Sequence, residues 1–169
     1  MEEVSLQEML AAREQRSALQ TRLLQQYKKS LISFTLNIPG PVKVPDGVPQ
    51  AFATGCRRIE TLLKDRLVLI QHMETIKEKT GYEAFYCIDA NPEFIKTLMV
   101  TLEDQDRLGR LFDIDVIRPD GSKVSREELG RPSRTCLLCK EPAHACSRSR
   151  RHSVAELTAE IGHILKDLY

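Results

Sequence analysis

Between residues 109 and 116 the chain reads G-R-L-F-D-I-D-V, with polar and apolar residues alternating at the two-residue period of a strand. In a strand, successive side chains leave on opposite faces, so Asp113 and Asp115 share one face and Phe112, Ile114 and Val116 the other. The apolar face demands a core layer beneath it. The acidic face brings two carboxylates one strand-step apart, which is costly unless a cation lies between them. Oxygen ligands of this kind suit magnesium bridging phosphate oxygens. The segment therefore predicts a sheet whose one side carries metal-dependent phosphate chemistry. Arg110, three residues before Asp113, can add a guanidinium to hold phosphate or can pair with one of the carboxylates.

The other elements follow from punctuation and periodicity. Ser5-Leu6-Gln7-Glu8 has capping-box spacing, and no glycine or proline appears before Pro39, which predicts a helix over 5–28. Residues 31–38 read as a buried strand that stops at Pro39-Gly40-Pro41. Segment 40–49, broken by Pro41, Pro45, Gly47 and Pro49, is an irregular loop. Ile59, Leu62 and Leu63 give a helix over 50–65 its apolar face. Strands are expected over 67–76 and 83–89, separated by a turn near Gly81. Asn91-Pro92-Glu93 opens a further helix with proline in its first turn. Pro119-Asp120-Gly121-Ser122 is a turn signal that predicts a partner strand near 122–126. Ser153-Val154-Ala155-Glu156 caps a terminal helix whose apolar stripe includes Ile161, Ile164 and Leu165. The order β-α-β-β-α-β-β with a helix at each end is an α+β single domain, residues 1–169, with a mostly antiparallel sheet.

Charge is unevenly spread. The net value of +1 hides a stretch, 131–152, in which Arg131, Arg134, Lys140, Arg148, Arg150 and Arg151 face Glu141 alone. A local cationic segment suits phosphate or an acidic partner, or is simply a solvated loop. The near-neutral total argues against a general nucleic-acid binder. The acidic start lacks a secretory pattern, no apolar run approaches membrane-spanning length, and five cysteines without a signal peptide do not suggest disulfides. A cytoplasmic protein with no membrane association is the expectation.

Within the basic segment, Cys136 and Cys139 have knuckle spacing for zinc, and Cys146 and His152 can complete a tetrahedral set. His144 competes for the fourth place, and buried cysteines without metal are the plain alternative. Arg13, Glu14 and Arg16 on the first helix are expected to face solvent. Asn37-Ile38-Pro39-Gly40-Pro41-Val42-Lys43 forms a stiff turn that either presents Lys43 to phosphate or merely joins strand to helix. Cys56, Cys87, His72 and His163 lack partner spacing.

Taken in order, R-x-x-R on the first helix (Arg13, Arg16), S-F-T-L-N-I-P-G-P-V-K (33–43), R-L-G-R-L-F-D-I-D-V (107–116) and R-T-C-L-L-C with a later C-x-R and histidine (134–152) resemble one family across nearly the full chain. It is the apo-citrate lyase phosphoribosyl-dephospho-CoA transferase family, the holo-acyl-carrier-protein synthases of citrate lyase. The resemblance implies transfer of a phosphoribosyl-dephospho-CoA group from 2′-(5″-triphosphoribosyl)-3′-dephospho-CoA to a serine of the apo acyl carrier protein, the gamma subunit of citrate lyase. Diphosphate leaves, as in nucleotidyl transfer. It implies Asp113 and Asp115 as magnesium ligands and catalytic residues, with Arg110, Lys43 and Arg134 on the triphosphate. It also suggests a nucleotidyltransferase-like fold, although such enzymes generally carry a Gly-Ser phosphate loop that this chain lacks. They also use a third carboxylate, for which Asp89, Glu103 and Asp106 are candidates. The alternative is a non-enzymatic, zinc-stabilised basic module that binds an acidic protein.

Overall fold

A computed structural model of the chain describes residues 1–168. The first helix, α1 (Leu6–Tyr27), starts in the expected capping box, with Ser5 accepting from Glu8 N–H and Glu8 reaching back to the Ser5 amide. It ends at Lys28 in the left-handed conformation. Strand β1 (Ser30–Leu36) follows, then α2 (Val48–Asp65), β2 (Leu69–Glu78) and β3 (Gly81–Asp89). Helix α3 (Pro92–Asp104) is capped by the Asn91 side chain and leads to a 3-10 turn, Gly109–Leu111, and to β4 (Phe112–Ile117). A second 3-10 turn (Glu127–Leu129), a short helix α4 (Ala143–Ser149) and the capped α5 (Val154–Lys166) complete the chain.

The four strands form one antiparallel sheet in the order β2-β3-β1-β4. Two features depart from the sequence reading. Gly109, Arg110 and Leu111 form a 3-10 turn, so the strand begins at Phe112. A glycine is needed there because a Cβ would lie 2.2 Å from the Leu102 carbonyl oxygen at the end of α3. The expected partner strand near 122–126 shrinks to a single bridge between Ile117 and Lys123, because past Val116, toward Phe112, the outer edge of β4 is taken by the side chains of Lys96, Glu103 and Arg134. Helix α4, seven residues without a side-chain cap, leaves no strong periodic signal.

Both faces of the sheet are covered. On one, Ile32, Phe34, Tyr86, Phe112 and Ile114 join α2, α3 and α5 in the main core. Phe34 stacks on Phe52 and meets Phe112 edge-on, with centroids 5.5 and 5.2 Å away. Helix α2 approaches so closely that a Cβ at Gly55 would lie 2.3 Å from the Phe34 ring. On the other face, α1 packs Leu23 over Leu31, Phe85, Cys87 and Ile117. The apolar alternation of β4 therefore points into the main core, and its two aspartates point to the α1 side.

β4 lies at the sheet margin, where its outward backbone groups meet charged side chains. Arg134 donates to the Phe112 carbonyl at 2.8 Å, and Lys96 donates to that of Ile114 at 2.9 Å. The Ile114 N–H donates to Glu103, also at 2.9 Å, and Val124 N–H donates to Val116.

Candidate active site

Register determines which polar groups gather on the α1 side. Thr35 of β1 pairs with Glu83 of β3 and with Asp113 of β4, so the three residues form one row across the sheet. Directly paired residues in an antiparallel ladder point to the same face. The next row places Ser33 beside Asp115. Helix α1 closes over this face, and its polar stripe meets the strands. Gln20 donates to Ser33 at 3.0 Å, and a half-buried Arg16 makes an ion pair with the buried Glu83.

Below Arg16 the apolar cover ends and a polar cleft of about 170 Å³ opens. Arg13 and Arg16 line it from α1, Thr35 and Asn37 from the end of β1, Glu83 from β3 and Asp113 from β4. Lys43 enters from the loop after β1, its ammonium held by the Ile38 carbonyl at 2.8 Å. The cleft thus brings three cationic side chains together with two carboxylates, one of which, Glu83, is paired with Arg16.

Electrostatics separate the two aspartates. Asp113 opens onto the cleft, yet the protein around it displaces part of its water and raises its pKa from the usual aspartate value. Asp115 and Glu103 add repulsion in the same direction, while Arg134 and Lys96 oppose it. Asp115 pairs with Lys123 at 3.2 Å. Lys43 is shifted the other way: burial lowers its pKa, and nearby Arg13 lowers it further. A carboxylate held against its own repulsion beside a second one is a donor set that fits a hard divalent cation.

The sequence candidates divide accordingly. Asp113 and Lys43 share the cleft, with Asp115 one strand-step behind. Arg110 and Arg134 do not line it. Arg110 donates to the carbonyls of Thr135 and Cys136, at 2.8 and 3.1 Å, and Arg134 to those of Phe112 and Arg110, each at 2.8 Å. Direct phosphate contact would require each to give up these bonds. Of the three suggested third carboxylates, Asp89 sits at the strand end with Lys29, and Asp106 holds Arg58 and the Gly109 amide. Glu103 is buried behind β4 on Arg126. Glu83 is the carboxylate that shares the cleft instead, along with Arg13, which is exposed as expected, and Arg16, which is half-buried rather than free in solvent. Glu14 does face solvent. The signal for Glu83 was a lone acid opening the otherwise apolar E-A-F-Y-C-I.

The cysteine segment closes on itself. One ligand atom each from Cys136, Cys139, Cys146 and His152 lies within 4.8 Å of the others, a group able to hold a metal ion. Cys139 Sγ is 3.4 Å from both Cys146 Sγ and His152 Nε2. His144 is exposed and stays outside this group. Burial, then the Cys139 and Cys136 thiols, push the Cys146 thiol up to about 12. Through Arg110 the cluster is tied to the turn that launches β4.

Among the described residues no helix is long and apolar enough to cross a membrane. The family model for apo-citrate lyase phosphoribosyl-dephospho-CoA transferase matches residues 4–168. A Vibrio cholerae protein named as a probable transferase of that kind is 39% identical over 97% of this chain and 93% of its own length. One from Streptococcus pyogenes, similarly named, is 37% identical over 99% and 88% respectively. The Citrobacter koseri apo-citrate lyase phosphoribosyl-dephospho-CoA transferase is 33% identical over 97% and 90%. With a match that runs from before α1 to the end of α5, the chain belongs to the apo-citrate lyase phosphoribosyl-dephospho-CoA transferase family and is a transferase.

Proposed function

We propose that the chain transfers the 2′-(5″-phosphoribosyl)-3′-dephospho-CoA group from its triphosphoribosyl precursor to a serine of the apo acyl carrier protein of citrate lyase. The observation that carries this reading is the cleft itself, where Lys43, Arg13 and Arg16 converge opposite Asp113. A triphosphate brings several negative charges to one small volume, and three cations at a cleft wall are suited to orient it. Asp113 and Asp115 would hold magnesium, which when bound neutralises phosphate charge as the phosphoryl group transfers.

The remaining work falls to side chains. Asp113 lines the cleft where the serine would enter and is placed to accept its proton. The serine oxygen forms a new bond to the α-phosphorus. The bond from that phosphorus to the bridging oxygen breaks, and diphosphate departs with the electron pair. Arg16 turns from Glu83 toward the leaving phosphates, which frees Glu83 to serve as the third carboxylate. Arg110 and Arg134 act one step back, holding the backbone on either side of Phe112 and so fixing where Asp113 emerges.

The Cys136, Cys139, Cys146 and His152 group takes zinc in this reading. Three thiols so close are difficult to ionise together without a cation, and the other His152 nitrogen, Nδ1, lies 3.9 Å from Glu156 as an outer partner. The site is closed, so the metal is structural. The basic residues around it would face the carrier's acidic surface. A metal-bound module that only binds an acidic protein accounts for this cluster but leaves the cleft on the far side of β4 without a role.

The test is direct. Apo carrier protein, the triphosphoribosyl donor and magnesium are incubated with the protein, and the carrier is weighed by mass spectrometry. The carrier should gain the prosthetic group. No gain, under conditions in which another family member succeeds, overturns the reading.

A further inference from the structure

The polar cleft is too small for the donor. Its 170 Å³ lies below the roughly 300–1,000 Å³ of pockets that enclose whole organic ligands, so it suits phosphates and an ion while the rest of the molecule lies elsewhere. Beside it is a second cavity of about 570 Å³ between the loop after β1 and α5. Ile38 lines both. The same short loop therefore presents Lys43 to one side and Pro39, Pro41 and Pro45 to the other.

The chemistry of this cavity differs from that of the cleft. Ile38, Val42, Ile161 and Leu165 make its wall aliphatic, and polar side chains are confined to Asp46, Thr158 and Lys166. No aromatic ring lines it, so a nucleobase would find no stacking platform. Its floor includes Gly162, inside α5, where a Cβ would meet nothing within 4 Å. Glycine weakens a helix interior relative to alanine. No neighbouring atom requires glycine here, so what it contributes is the open space above it.

We propose that this cavity seats the pantetheine arm of the donor. This rests on the transfer reading above and names a second half of the same site. The arm is a flexible chain with a gem-dimethyl group, methylenes and two amides, which matches an aliphatic slot with a polar rim. The prolines stiffen the slot in advance, which limits what must be ordered on binding.

The test compares dephospho-CoA with ADP, which shares the adenosine diphosphate part but lacks the arm. Calorimetric titrations use the full chain as wild type, Gly162→Ala and Gly162→Leu. Wild type should bind dephospho-CoA more tightly than ADP. Gly162→Leu should weaken dephospho-CoA by about tenfold or more, the scale of a few lost apolar contacts, and leave ADP unchanged. Gly162→Ala should show a smaller loss of the same kind, and decides the matter if the leucine variant melts early. Equal binding of the two ligands by wild type, an equal loss for both in the variants, or no loss for either overturns the proposal. A loss confined to the KM for the carrier does so as well. Wild-type protein that prefers dephospho-CoA yet never loads the carrier would overturn the transfer reading and leave the cavity assignment standing. Active variants with unchanged binding would do the reverse.

Discussion

Glu83 and Asp113 face one cleft from strands that are not neighbours, each the register partner of Thr35 on the strand between them. Two strand spacings, about 10 Å between backbones, separate them, a span that the longer Glu83 side chain can narrow toward Asp113 across a bound cation. Glu83→Gln should therefore reduce transfer by about a hundredfold or more while the protein stays folded, because the amide still accepts from Arg16. Steady-state kinetics with varied magnesium check this. An unchanged magnesium dependence would limit Glu83 to positioning Arg16.

Asp113→Asn and Asp115→Asn should each abolish measurable transfer. The sign of the stability change at position 113 is informative. Its folded-state pKa is raised, so the folded protein binds this proton more tightly than the unfolded chain, and stability falls as pH rises through the folded value. At neutral pH the asparagine variant should melt no lower than wild type. Magnesium should raise the melting temperature of wild type and not of the variant.

Lys43 gives a pH dependence of its own. Burial and Arg13 depress its pKa, so its charge is lost at lower pH than for an ordinary lysine. Donor affinity should fall as pH climbs through that range. The free protein gains stability over the same window, since the unfolded chain holds the proton more tightly. Lys43→Arg should flatten the fall in affinity, as titrations of donor binding across alkaline pH would show.

Purified protein should contain about one zinc per chain, and Cys146→Ser should lose it. Metal analysis with hydrogen exchange should then show early opening of 131–152 while the β1–β3 ladder stays protected. Folded, active, metal-free wild type would leave these as ordinary cysteines.

Arg126 is nearly buried and holds Glu103 at 2.6 Å, itself only 3% exposed at the side chain. Arg126→Ala should cost about 3–5 kcal/mol by leaving that carboxylate short of a partner. Denaturant unfolding measures it. Arg118→Ala, which breaks the more exposed pairs with Glu93 and Glu128, should shift the unfolding midpoint far less than Arg126→Ala.

Most of the elements were legible because their signals are local. Capping boxes at Ser5 and Ser153, Pro92 in its first turn and the alternation of β4 each act within a few residues. The α+β class followed from their order, and the Cys/His spacing anticipated the cluster that forms. The site was less legible because it depends on register. That Glu83 and Asp113 share a row follows from the way β1 pairs on both sides, which no short window of sequence encodes. Arg16 reads as a solvent residue on a helix of weak amphipathicity until α1 is laid over a polar row. Arg110 and Arg134 resemble phosphate ligands by type and nearness in sequence. Their bonds to carbonyls appear only when the cysteine segment folds back against β4.

The marginal strand has a last consequence. An unpaired border of a sheet is a template on which another chain can add its own strand, and proteins guard such borders against polymerising. In this chain Arg134, Lys96 and Glu103 occupy the positions that an incoming strand would need on β4. The border that carries the two aspartates is thus closed to recruitment by its own side chains, and crowding should not draw copies together along it.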